Sequence, residues 1–128
     1  MVEKSKSQEL FDAVYSTSLR LGYDTYDYVP GGEASYPFVF VGEQFEQEQR
    51  TKSGSYAIVQ QTIHVYHYYE QRRDLTNMVD GLKKELRQLR RSGPFYFAYK
   101  NATGRTITDN STSDTLLHAV LEIEFRIN

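Results

Sequence analysis

A chain of 128 residues with 39% apolar and 25% charged residues has the size of one domain built around one core. Its net charge of -2 points neither to nucleic acid nor to an anionic membrane. The lack of cysteine excludes disulfides, thiolate metal sites and a cysteine nucleophile, and it fits a reducing compartment.

The N-terminal stretch "MVEKSKSQELF" has no apolar core of the signal-peptide kind, and no run approaches the ~18 apolar residues that span a bilayer. The expectation is an unexported protein that makes no membrane contact. Tyrosine and phenylalanine are abundant, 11 and 7, while tryptophan is absent. Aromatic residues in strand-like runs suit pleated, half-buried surfaces and interfaces.

In chain order, "SQELFDAVYSTSLRLG" places Leu10, Phe11, Val14, Tyr15 and Leu19 on one helical stripe, with Ser7 as N-cap and Gly22 as stop. Residues 23 to 29, carrying Tyr23, Tyr26 and Tyr28, read as a short strand or an extended arm before a Pro-Gly-Gly turn. Residues 36 to 45 form a strand buried on both faces, with Gly42 marking a bulge or the end. A polar connection over 46 to 55 follows, longer than compact hairpins use. Next, "YAIVQQTIHVYHYY" alternates, with Ala57, Val59, Ile63 and Val65 on one face and Ile58, Gln60, Thr62, His64 and Tyr66 on the other.

Asp74 or Thr76 is expected to cap a helix running to about Arg91, with Leu75, Met78, Val79, Leu82, Leu86 and Leu89 as its core stripe and Ser92, Gly93 and Pro94 as its stop. Two strands, "PFYFAYKN" and "DTLLHAVLEIEFRIN", flank a flexible polar connection, "ATGRTITDNSTS". The element order predicts a single α+β domain over 1–128: an antiparallel or mixed sheet of four to five strands with both helices on one face.

The chemistry in the sequence is sparse. His64, His67 and Glu70 lie close together, but residues three apart on a strand point to opposite faces, so the two imidazoles do not share a metal. His118 reads as half-buried in a sheet. No nucleophile elbow, phosphate loop or dinucleotide fingerprint occurs, so no catalytic, cofactor-binding or metal-binding residues are expected. The basic residues Arg72, Arg73, Lys83, Lys84, Arg87, Arg90 and Arg91 raise the alternative of a small nucleic-acid-binding accessory domain using the helix at 74–91. Four of them, however, are placed to complement the helix C-terminal dipole, and Asp74, Asp80 and Glu85 interrupt the stripe. The polar loop offers a further reading. Glu43, Glu46 and Glu48 followed by Arg50 and Lys52 can pair across a head-to-tail interface, and the tyrosine arm is a second extension toward a neighbour.

The stretches "YPFVFVGEQF", "QTIHVYHYYEQRRDLTNMVDGLKKEL" and "LLHAVLEIEFRI" together resemble the tail terminator, or tail-to-head joining, proteins of long-tailed phages infecting Gram-positive bacteria. The resemblance spans roughly residues 5 to 127 and rests on strand and helix wording. It implies a non-enzymatic subunit, without cofactor, forming a hexameric ring on the completed tail tube. Such a ring ends tail polymerisation and offers the head-docking surface. The implied partners are further copies of the chain, the tail tube protein and a head-completion or connector protein, with DNA passing through unbound. The implied place is the virion tail, after assembly in the host cytoplasm. Subunit or tube contacts are expected at Glu43, Glu46, Glu48, Arg50 and Lys52, and in the later loop at Arg105 and Asp109.

Overall fold

The helical stripe of the first segment folds as α1, Lys6–Arg20, with Leu10 and Val14 buried against the sheet. A computed structural model describes residues 4–32 and 34–128 of the chain. Met1 to Glu3 of the N-terminal stretch, and Glu33 after the Pro-Gly-Gly turn, lie outside the described residues. Ser5, not Ser7, is the N-cap: its Oγ accepts from the Gln8 N–H at 3.2 Å. Three residues separate a capping oxygen from the N–H it satisfies, and Ser7 already lies within the first turn. Gly22 stops the helix as expected, taking φ 88, a left-handed value that glycine adopts without strain.

The tyrosine segment folds back on its own subunit instead of extending from it. Thr25–Tyr26 forms β1, parallel to the start of β2 (Phe38–Thr51) through Thr25–Val39 and Tyr26–Phe40. The Tyr15 hydroxyl donates to the Thr25 carbonyl at 3.0 Å, and the Tyr26 ring meets Phe38 edge-on at 5.7 Å. The start of the arm is thus held by its own chain, while Tyr28 and Val29 beyond it remain exposed.

The expected long loop at 46 to 55 is largely strand. β2 runs to Thr51 and β3, Gly54–Tyr68, begins after a two-residue turn, Lys52 and Ser53. The cause is position. Beyond the helices the hairpin is wet on most of its surface, so the backbone ladder persists while the side chains become Glu and Gln and the apolar period vanishes. Gly42 marks a bulge, as the register shift between Val41 and Gln44 shows, and does not end the strand. A Cβ at Gly42 would come within 3.0 Å of the His64 ring, so this approach needs glycine.

A short 3₁₀ turn, Tyr69–Gln71, leads into α2, Arg72–Arg87. Leu75, Met78, Leu82 and Leu86 are buried, with Val79 and Leu89 packed beside them. Neither Asp74 nor Thr76 is the cap. Gln71 holds that place without a side-chain bond, while Asp74 accepts from His67. The helix also ends earlier than Arg91. The Phe97 N–H bonds the Arg90 carbonyl, drawing Arg91–Ser92 (β4) into pairing with Phe95–Asp109 (β5), and Gly93 at φ 58 makes the turn. Consequently only Lys84 and Arg87 of the basic cluster occupy the last turn.

Residues 102 to 109, expected as part of a flexible connection, continue β5; only 110 to 115 remain outside strands before β6, Leu116–Ile127. The sheet therefore has six strands, in the order β1-β2-β3-β6-β5-β4, not four to five. All neighbours are antiparallel except β1 and β2. One face packs on both helices. There Val39, Val59, Ile63, Val65, Leu121, Ile123, Phe125 and Ile127 alternate into the core, as their period of two predicts. The other face carries no helix.

Candidate assembly surfaces

The expected contact residues fall into two groups on opposite sides of the sheet. Glu43, Glu46, Glu48 and Arg50 lie in β2, with Lys52 in the turn; Arg105 and Asp109 lie in β5. β3 and β6 separate them. Register fixes the faces, because directly paired residues share a side. Glu46, Glu48 and Arg50 pair with Val59, Ala57 and Ser55, on the helix side of the hairpin. Arg105 and Asp109 pair with Val120 and Leu116, on the helix-free face. All but Asp109 are exposed among the six residues of β2 and β5.

Both groups border unpaired backbone. β1 covers β2 only at Val39 and Phe40, and β4 covers β5 only at Phe95 and Tyr96. The remainder of each strand is a free edge. Two exposed apolar side chains stand on the helix-free face at these edges, Phe45 at 67% and Ile107 at 44% exposure. Ile107 was missed because it sits in a segment expected to be a connection, and Phe45, expected in a strand buried on both faces, is instead exposed because β2 has by then left the helix layer.

Glu43 has an additional role inside the subunit. The bulge turns it onto the helix-free face, where its Oε1 accepts from His64 Nε2 at 2.9 Å. An ionised carboxylate makes that nitrogen the donor, so neutral His64 accepts at Nδ1 from His118 Nε2, 2.8 Å away. The hydrogen bond to His64 holds the Glu43 carboxyl below its usual range, and burial pushes His118 below its own. Around this relay the rings of Tyr36, Phe38, Tyr66, His118, His64 and Phe40 stack side by side, with Tyr66 and His118 at 4.1 Å. The two histidines lie on the polar side of two alternating strands, which the sequence shows; their adjacency depends on the β3–β6 register, which it does not.

The pH dependence follows in sign. Depressed carboxyl and imidazole groups both bind fewer protons in the fold than in the unfolded chain, so stability is greatest above the ordinary histidine value of 6.5 and declines as pH falls below it. We expect Tm to drop between about pH 7.5 and about pH 5.5, the histidine range. His118→Gln should reduce that slope, and an equal slope in the variant would contradict the assignment.

His64 and His67 face opposite sides, as expected. His67 is buried on the helix side, accepts at Nδ1 from the Tyr68 N–H at 2.8 Å, and so donates from Nε2 to Asp74 at 2.7 Å. Among the described residues no group of three or more His, Asp or Glu side chains is placed to hold a metal ion. Several basic side chains are engaged within the subunit. Arg87 lies over Tyr99, Arg91 over Tyr96, Lys83 pairs with Asp80, and Arg90 donates to the Arg87 carbonyl at the end of α2.

A six-stranded mixed sheet with both helices on one face and two sparsely covered edges defines a single α+β domain. Its fold is similar to that of a chain in the virion of a native gene transfer agent particle, with a TM-score of 0.67, 16% identity, and 97% of this chain and 99% of that chain covered. No family model matches the sequence, and no curated protein matches it.

Proposed function

We propose that the protein is a non-enzymatic virion structural protein that caps the completed tail tube as a hexameric ring, ends tail polymerisation and presents the head-docking surface. The observation that carries this reading is the shared fold, end to end, with a chain of a gene transfer agent virion. The structural likeness supports the coarser reading, a virion structural protein, and the sequence resemblance to tail terminators supplies the finer, tail-capping role. The free edges of β2 and β5 support it further, since each subunit offers two different joining surfaces, the condition for a head-to-tail ring. The partners on this reading are other copies, the tail tube protein and a head-completion or connector protein. DNA passes through the ring without specific binding. Assembly takes place in the host cytoplasm, and the finished ring resides in the tail.

Light scattering of the purified chain over a wide concentration range, at low and high salt, tests this reading. A mass of six subunits, or a concentration-driven rise toward it, is the expected result. A monomer throughout that also fails to bind the ends of purified tail tubes overturns it, and steeply salt-dependent retention on duplex DNA would transfer the function to α2.

A further inference from the structure

Two edge runs of similar length stand at opposite sides of the sheet. In β2 the regular pairing resumes after the bulge at Gln44 and continues to Thr51. In β5 it resumes after a second irregularity, at Asn101, and continues to Asp109. Neither run contains proline, which is a common device for blocking an edge. The order and directions of the strands make β2 and β5 antiparallel to each other across the sheet. A second copy set beside the first in the same orientation therefore brings its β2 against the first copy's β5 in the antiparallel sense, with the helices of both copies on one side.

We propose that successive copies join by this pairing, the β2 edge of one subunit against the β5 edge of the next, with Gln44 opposite Thr108 and Thr51 opposite Asn101. The inference deepens the ring reading and rests on it for the identity of the partner as a second copy. Three features of the two edges determine the register. Faces are kept only if Phe45, Gln47 and Gln49, on the helix-free side, meet Ile107, Arg105 and Thr103, also on that side; a one-residue slip reverses every side chain. Among the face-keeping registers, this one uses the whole regular run of β2. It also sets Phe45 against Ile107, so the two exposed apolar side chains of the edges cover each other.

Charge bears on the fit on the helix side, and a polar contact is available on the other. The β2 run carries Glu46 and Glu48 with Arg50, whereas the β5 run up to Thr108 carries Arg105 and no acid. On the helix side, Glu46 and Glu48 of the incoming strand would lie opposite Thr106 and Gly104. These two residues border a cleft of about 310 Å³ between β5 and α2, lined also by Arg105 and by Lys83, the latter paired at 3.6 Å with Asp80 on the same wall. Gly104 has only ordinary contacts around its missing side chain, leaving room beside the strand. On the other face, Gln47 meets Arg105.

The chain has no cysteine, so introduced thiols are the only ones available to the reagent. A Phe45→Cys/Ile107→Cys double variant, treated with a short bismaleimide, is expected to give a ladder of covalent multimers reaching six subunits, while each single variant stays monomeric on denaturing gels. Directly opposed positions lie ~5 Å apart at Cβ, within the reagent's span. Strong dimer formation by Phe45→Cys alone overturns the proposal in favour of a symmetric β2–β2 contact. A six-subunit mass by light scattering without a ladder overturns the edge pairing and leaves the ring standing. The absence of both at the highest concentration overturns the pairing and the self-assembling ring together.

Discussion

Phe125→Ala is expected to remove about 3–5 kcal/mol of stability, the usual cost of deleting a large aromatic from a core that cannot collapse around the void. Phe125 is fully buried in β6, the strand flanked by β3 and β5. Its ring meets Phe97 and Tyr99 edge-on, at 5.8 and 5.9 Å, so truncation leaves those two rings without the edge they pack on. It also pairs with Val59 and Tyr99 across both ladders, which holds the void in place. Urea unfolding monitored by circular dichroism should show a much lower midpoint with little change in slope. A loss below about 1 kcal/mol would show that the helix layer settles into the space.

Gln61→Glu is expected to be comparably severe, and to depend on pH. Gln61 is fully buried, and its amide nitrogen donates to the carbonyls of Gly42, Glu43 and Thr62 at 3.0, 3.2 and 2.9 Å. Those carbonyls fix the amide orientation, because an oxygen in that place would face only acceptors. Its own Oε1 has no partner in the subunit. A carboxylate there loses the donor and buries an unpaired charge, which costs about 3–5 kcal/mol. Protonation restores one donor. The folded variant therefore binds its proton more tightly than the unfolded chain does, so the penalty should grow as pH rises through the carboxylate range and shrink at acid pH. Urea midpoints at several pH values provide the check, and a penalty independent of pH would contradict the burial argument.

The sequence made the helix-packed half of the molecule legible and concealed its periphery. Alternation at Ala57, Val59, Ile63 and Val65, and again from Leu121 to Ile127, identified the faces of β3 and β6 correctly, since each position there contrasts core with polar surface. The α2 stripe was equally plain. The far ends of β2 and β5 were not. Outside the helix layer, "EQEQRT" and "TGRTITD" have little buried face to report, and a ladder of backbone hydrogen bonds leaves no mark in side-chain hydropathy. β4 went unread because two residues carry no period. For the expected contact residues, composition located the charged clusters, but their division between two edges is a fact of strand order. Nothing in the residue pattern signals that β6 lies between β3 and β5. Gln61 was invisible for another reason: a buried glutamine on a strand looks like any polar residue until the bulge it holds is known.

The central position of β6 also orders events during synthesis. Residues 116–127 follow every other element in the chain, yet they occupy the middle of the sheet, pairing with β3 from Ala57 to Tyr68 and with β5 from Phe97 to Asp109. While a ribosome is still translating that stretch, the β2–β3 hairpin and β5 have no shared neighbour, and α2 lacks the part of its cover that β6 supplies. Joints so far apart along the chain form slowly. The nascent chain therefore has no complete sheet until β6 is inserted, and the outer edges of β2 and β5 take their final places only then.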